Sequence, residues 1–137
     1  MAPDRDGRPH RVAVLLDANA LMAQVQFRLD IFAALANLIG AYEPVLLACV
    51  RDELCGLAAG RGKNGAAARA ALALAERCTL ITGGPPGATV DEKILYHAST
   101  HGCMVFTSDR HLRTALLAQG VPVISLLGKQ RLELFRN

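Results

Sequence analysis

The chain has 137 residues, 52% of them hydrophobic and 20% charged. This length suits one domain, and this composition excludes a disordered or highly charged tail protein. Fifteen Lys and Arg residues against twelve Asp and Glu residues give a net charge of +3, which permits a polyanionic partner without requiring one. The four cysteines form no C-x-x-C pair or regular framework, so we expect small buried thiols in a reducing cytoplasm. No apolar run approaches the roughly 18 residues that span a bilayer, so we expect no membrane partner.

Residues 1–11 mix Pro, Gly, Asp and Arg without periodicity and predict a flexible leader to a single domain over residues 12–137. Beyond the leader, apolar runs that suit buried strands alternate with stretches of helical periodicity. In chain order the sequence predicts a strand over 12–16, a helix over 29–39, a strand over 45–49, a helix from 52 to 60, a basic connection over 60–65, a helix over 66–77, a strand over 79–81, a turn over 83–87, a helix capped by residue 89, a strand over 104–106, a helix over 112–119, a strand over 121–126 and a short tail over 128–137.

This alternation of strands and helices predicts an α/β fold, a three-layer α/β/α sandwich with a central parallel sheet and right-handed crossovers. In such sheets, ligands bind outside the carboxyl ends of the strands. Residues that follow the predicted strands are therefore the first candidates for a functional site.

Acidic residues follow four successive predicted strands. Asp17 comes directly after the first, Glu53 lies just past the second, Asp91 enters the helix after the third, and Asp109 closes the fourth. Clustered carboxylates raise one another's pKa unless a cation neutralises them, and oxygen ligands select hard ions such as Mg²⁺ or Mn²⁺. A metal held in this way activates a water and balances charge on a phosphate. The placement therefore indicates hydrolysis of a phosphodiester.

Each acid also has a purely structural interpretation. Asp91 and Asp109 suit the positive end of a helix dipole, and Glu53 suits a solvated helix face. Asp17 follows five apolar residues, and a site at the edge of the sheet explains it better than helix capping does. The joint placement of all four acids favours the site.

Four short motifs surround these acids, and a tail follows the last predicted strand: Leu15-Leu16-Asp17-Ala18-Asn19, Val50-Arg51-Asp52-Glu53-Leu54, Val90-Asp91-Glu92-Lys93-Ile94-Leu95, Thr107-Ser108-Asp109-Arg110-His111-Leu112 and Gly128-Lys129-Gln130-Arg131-Leu132-Glu133-Leu134. In these motifs and their order, the chain resembles the PIN-domain nucleases, and within them the archaeal members related to VapC-type toxins and to PIN proteins that process ribosomal RNA. The likeness extends from about residue 12 to residue 134.

The resemblance implies a metal-dependent endoribonuclease acting on single-stranded RNA, with Mg²⁺ or Mn²⁺ as cofactor. The catalytic and metal-binding residues that it implies are Asp17, Glu53, Asp91 and Asp109, with Asn19 and Ser108 in support. Adjacent helical side chains point about 100° apart, so we expect Glu53 and Asp91, rather than Asp52 and Glu92, to face the site. His111 departs from the family pattern, because some relatives carry a second acid there.

Two settings fit this function: the toxin of a toxin–antitoxin pair, held by a small antitoxin, or the processing and quality control of ribosomal RNA. A homodimer is implied by resemblance alone. The alternative is a catalytically weak PIN-like module that serves as an RNA-binding or protein-binding scaffold. A receiver-like phosphoryl-transfer domain would need a Lys near the last strand. The strand predicted over residues 121–126 contains no Lys, and the first Lys after it is Lys129.

Basic and histidine side chains supply the remaining candidates. Contacts to RNA phosphates are expected from Arg61, Lys63, Arg69, Arg110 and Arg113, joined by Lys129 and Arg131, although simple solvation explains these side chains equally well. His97 and His101 stand four residues apart, a spacing that two zinc ligands can share, but no third ligand of matching type is nearby in the sequence.

Overall fold

The computed structural model describes residues 11–136. The leader predicted over residues 1–11 therefore lies outside the described range, except for Arg11. The strands are β1 (Val12–Leu16), β2 (Tyr42–Leu47), β3 (Thr79–Ile81), β4 (Met104–Phe106), β5 (Val123–Leu127) and β6 (Arg131–Phe135). The helices are α1 (Ala18–Phe27), α2 (Ile31–Ile39), α3 (Ala48–Ala58), α4 (Gly62–Ala75), α5 (Val90–His101) and α6 (Arg110–Ala118).

Within residues 11–136, these strands form one sheet in the order β3-β2-β1-β4-β5-β6. The first five strands run parallel, and helices flank them, which confirms the predicted α/β class. The helices form two packed groups, α1 to α4 in one and α5 with α6 in the other, as expected when parallel strands in this order are joined by right-handed crossovers. Connections run in opposite directions from β1 and β4, so the carboxyl ends of these two neighbours form a topological switch point, where ligands of open α/β sheets bind.

The last strand adds an antiparallel edge to the predicted parallel sheet, and it lies in the stretch predicted as a short tail. Gly128 adopts φ 65, a left-handed conformation that glycine accepts without strain, and the chain turns back there. β6 then pairs antiparallel with β5, from Leu127 opposite Arg131 to Val123 opposite Phe135. Charged and apolar residues alternate from Arg131 to Leu134 of β6, which is the period of a half-buried strand.

Several element boundaries also differ from the prediction. Helix α1 was missed because small or apolar residues surround its first turns: Ala18, Ala20, Leu21, Met22 and Ala23 are all buried, so no single stripe stands out. The second strand begins at Tyr42 and ends at Leu47, and the next two residues already belong to α3. α4 begins at Gly62, inside the stretch predicted as a connection.

The cysteines and the membrane prediction can also be compared with the structure. All four thiols are free; Cys103 is buried, Cys49 and Cys78 are half-buried, and Cys55 is exposed, so the expectation of buried cysteines is wrong for Cys55. In the described part of the chain, no helix has the length and apolar character needed to cross a membrane.

Candidate active site

Asp17 lies at the centre of the sheet, directly after β1. Its side chain is only 6% exposed, and its backbone N–H donates to the carbonyl of Phe106 on the neighbouring strand at 3.0 Å. Its Oδ1 accepts from the backbone N–H of Ala18 at 2.9 Å, so Asp17 is also the N-cap of α1. Capping therefore does explain part of this residue's role, contrary to the expectation from the sequence. The second carboxylate oxygen faces the adjacent strand β4.

That second oxygen is held by side chains from two parts of the chain. The Thr107 hydroxyl donates to Oδ2 of Asp17 at 2.7 Å, and the Asn19 amide donates to the same oxygen at 3.3 Å. Asn19 in turn accepts from the backbone N–H of Ser108 at 3.1 Å. The structure thus brings both supporting candidates, Asn19 and Ser108, into the hydrogen-bond network around Asp17.

Thr107 was not predicted as a site residue, although it is fully buried and contacts Asp17 directly. Its hydroxyl also accepts from the backbone N–H of Asp109 at 3.1 Å, and its carbonyl accepts from the Ser125 hydroxyl at 2.6 Å. A signal for it exists in the sequence, because Thr107 follows β4 as Asp17 follows β1. Leu16 and Phe106 are partners in the sheet, so the residues after them meet.

The other three acids also follow strands and lie at helix starts or on the first turns of helices. Asp109 is the N-cap of α6 and accepts from the backbone N–H of Leu112 at 3.0 Å. Asp91 lies in the first turn of α5, and Glu53 lies in the second turn of α3. All four carboxylates therefore occur at the edge of the sheet where β1 and β4 end.

The pKa shifts indicate which acids lie close together. Burial raises the pKa of Asp17; the Thr107 hydrogen bond opposes that rise, and the charge of Asp109 adds to it. Glu53 and Asp91 are exposed residues, but the partial burial of each carboxyl group raises its pKa. Repulsion from Asp17 raises both pKa values further, and Asp91 adds to the effect on Glu53 while Asp109 adds to the effect on Asp91. Within residues 11–136, no Lys or Arg contributes to these shifts, so the cluster has excess negative charge.

The neighbouring acids have different surroundings. Glu92 forms a capping box with Thr89: its side chain accepts from the Thr89 backbone N–H at 3.0 Å, and the Thr89 hydroxyl accepts from the Glu92 N–H at 3.1 Å. These hydrogen bonds lower the pKa of Glu92. Asp52 is exposed, and its charge raises the pKa of Cys49 after the larger effect of burial on that thiol.

The carboxylates fit a hard divalent cation by their chemistry and charge. Their oxygens are the ligands that Mg²⁺ and Mn²⁺ prefer, and a cation would relieve the repulsion that raises their pKa values. In the described residues, however, no three His, Cys, Asp or Glu side chains converge closely enough to enclose an ion. The arrangement is therefore a negatively charged edge rather than a closed coordination cage.

Among the basic candidates, Arg110 lies beside the acidic site, whereas Arg69 has a structural role. Arg110 is exposed and directly follows Asp109 at the start of α6, so it lies beside the acids. Arg69 instead donates to the carbonyls of Ala58 and Gly60 at 2.8 and 3.1 Å, which ties α4 to the end of α3.

The remaining basic candidates lie away from this hydrogen-bonded network or pack elsewhere. Lys63 lines a pocket together with Val25 of α1. Val25 is eight residues beyond Asp17, the N-cap of that helix, which corresponds to about 12 Å along the helix axis. Lys63 is therefore distant from Asp17. The guanidinium of Arg113 lies 4.7 Å from the ring centroid of Phe135 on β6. Arg61 is exposed at the start of α4.

The two histidines of α5 lie side by side, with ring centroids 4.3 Å apart. Burial and the charge of His101 lower the pKa of His97. In the described part of the chain, no third His, Cys, Asp or Glu joins the pair as a metal ligand, so a closed zinc site is not formed there.

The switch-point edge and its acidic side chains define an α/β protein of the PIN type, and comparisons with known proteins agree. Residues 14–129 match the family model described as a PIN like domain. Ribonuclease VapC9 of Archaeoglobus fulgidus is 31% identical over 125 residues, which cover 90% of this chain and 89% of that protein. The chain therefore belongs to the PIN-like domain family, and its predicted resemblance to the PIN-domain nucleases is confirmed.

Solved structures share the fold. The PIN domain endonuclease Utp24 superposes with a TM-score of 0.76 at 26% identity, covering 91% of this chain and 92% of that one. A Pyrobaculum aerophilum protein superposes with a TM-score of 0.51 at 23% identity over 79% of each chain, which is a likeness of fold alone.

Proposed function

We propose that this protein is a Mg²⁺- or Mn²⁺-dependent endoribonuclease that hydrolyses phosphodiester bonds of single-stranded RNA. The observation that carries the proposal is the buried Asp17 carboxylate at the switch point and its interaction with three other acids. The charge of Asp109 raises the pKa of Asp17, and the charge of Asp17 raises the pKa values of Glu53 and Asp91. The names of two similar proteins, a ribonuclease and an endonuclease, support the same class of reaction.

Asp17, Glu53, Asp91 and Asp109 are the residues that would hold the cation, which when bound activates water and offsets phosphate charge. The protein's own contribution begins with Thr107 and Asn19, whose hydrogen bonds fix one oxygen of Asp17. This fixed orientation lowers the cost of arranging the carboxylate for reaction. Arg110, exposed at the same edge, contributes attraction for RNA phosphates.

A toxin restrained by a small antitoxin is the setting we favour, because the relative with 31% identity is a VapC ribonuclease. Processing of ribosomal RNA is the second setting, and the endonuclease activity that the name of Utp24 states is compatible with it. Growth arrest on expression in a host, relieved by a small protein encoded beside it, supports the first setting, whereas rRNA fragments that accumulate without growth arrest support the second. Cytoplasmic location and a homodimer are part of the proposal, and fractionation and sedimentation measure them.

The decisive experiment incubates labelled single-stranded RNA and the matching DNA with the protein in Mn²⁺, in Mg²⁺ and in chelator. Asp17→Asn and Glu53→Gln are each expected to lower the cleavage rate by at least about 100-fold, because each removes a charged oxygen ligand. Asp52→Asn is the matched control and should retain activity, since Asp52 is next to Glu53 on α3 but does not contribute to the raised pKa values of Asp17, Glu53 and Asp91. RNA binding without metal-dependent cleavage would refute the nuclease and favour the scaffold.

A further inference from the structure

A pocket of about 200 Å³ lies between the N-terminal turns of α5 and α6. Equivalent positions of the two helices line it: Asp91, Glu92 and Leu95 from α5 and His111, Leu112 and Ala115 from α6. Residues four apart lie on the same face of a helix, so the two sets face each other across one groove. Because Asp91 forms part of its wall, the pocket opens beside the acidic site.

The pocket has an apolar floor and a polar rim. Leu112 is only 3% exposed and Leu95 is half-buried, whereas Glu92 and His111 are exposed. Its volume is below the roughly 300–1,000 Å³ of sites for drug-sized ligands, so it suits one planar ring system. An imidazole offers a face on which such a ring stacks, and a carboxylate accepts from an amino group at the edge of the ring.

We infer that this pocket, called the base pocket below, binds one nucleobase of single-stranded RNA and prefers cytosine to uracil. The inference rests on the proposed function, because Asp91 belongs to both sites. Cytosine presents an amino donor where uracil presents a carbonyl acceptor, and acidic side chains accept from that amino group. One oxygen of Glu92 already accepts from the Thr89 N–H, so the second oxygen at the rim accepts from cytosine and repels the uracil carbonyl.

The surroundings of the base pocket also suit the rest of a nucleotide. Both α5 and α6 begin at this edge, and the positive ends of their dipoles offset part of the negative charge of the acids. Arg110, the first residue of α6, adds a positive charge next to His111. A base in the pocket thus leaves its phosphate near the acidic site and near Arg110.

The test measures binding of two labelled RNA octamers, one of uridines alone and one with a single central cytidine, to the full chain carrying Asp17→Asn, in chelator so that no cleavage occurs. The cytidine octamer should bind about 10-fold more tightly. His111→Ala should weaken binding of the cytidine octamer about 10-fold by removing the stacking face. Glu92→Gln should abolish the difference between the octamers while preserving the fold, because Gln also completes a capping box.

His101→Ala and Glu76→Gln are the matched controls, since both residues are exposed and lie outside the base pocket. Thermal unfolding of each variant checks that it is folded. Equal affinity for the two octamers, or a His111→Ala effect no larger than that of His101→Ala, overturns the inference. Cleavage by the unmodified chain is scored separately: cleavage without any base preference leaves the nuclease standing and refutes the base pocket, whereas base-dependent binding without cleavage supports the pocket and refutes the nuclease.

Discussion

Replacing Thr107 by Val removes the hydroxyl that joins Asp17 to the start of α6. The two side chains have nearly the same shape, so no cavity forms, and the change isolates two hydrogen bonds around a fully buried residue. Loss of a bond to a charged acceptor costs about 2 kcal/mol, and the unpaired N–H of Asp109 adds about 1 kcal/mol. We therefore expect the free energy of unfolding to fall by about 3 kcal/mol, or roughly 10 °C in melting temperature.

The measurement is urea unfolding at pH 8 in chelator, with an unchanged dependence on denaturant as the check that folding stays cooperative. Thr114→Val is the matched control: that hydroxyl donates to the Arg110 carbonyl on the exposed surface of α6, and its removal should cost less than about 0.5 kcal/mol. In an Asp17→Asn background the cost of Thr107→Val should shrink by about 1 to 2 kcal/mol. A Thr107→Val cost equal to that of Thr114→Val would refute the reasoning.

Three further outcomes are expected. Mn²⁺ at 100 times its dissociation constant should stabilise the protein by about 2.7 kcal/mol, and this gain should vanish in Asp17→Asn; an equal gain in both proteins would contradict the proposed ligands. Burial and mutual repulsion raise the pKa values of Asp17, Glu53 and Asp91 above those of the unfolded chain. The native state then binds more protons than the unfolded chain, so the contribution of these acids to the free energy of unfolding without metal is complete below about pH 4 and is lost as pH rises through the raised pKa values. A difference in unfolding free energy between the unmodified protein and Asp17→Asn that does not change with pH across that range would refute this expectation. Arg69→Ala should cost about 1 kcal/mol of stability and leave RNA affinity unchanged, whereas Arg110→Ala should weaken RNA binding and reduce its salt slope by about 1; the reverse pattern in binding titrations would show that Arg69 is the RNA contact.

The sequence by itself determined the class of fold and the edge of the sheet at which the acids gather. The short apolar run Val12–Leu16 predicts a strand of a parallel sheet, because such a strand is covered on both faces and its side chains on both sides are apolar. Parallel strands end at a common edge, so Asp17 and Asp109 could be assigned to one site without knowing any distance. The cap of α5 also depends only on residues close together in the sequence. The sequence predicts Thr89 as the cap, and the structure adds the second hydrogen bond of the capping box, from the Thr89 N–H to the Glu92 side chain.

Other features depended on contacts between distant parts of the chain. The Thr107 hydroxyl meets Asp17 across 90 positions of sequence, because β1 and β4 are neighbours in the sheet although β2 and β3 lie between them in the sequence. Arg69 is a candidate RNA contact in the sequence, yet in the structure it donates to the carbonyls of Ala58 and Gly60 at the end of α3. Pairing of β6 with β5 likewise needed a free sheet edge. Local periodicity predicts elements, but long-range packing decides which side chains meet.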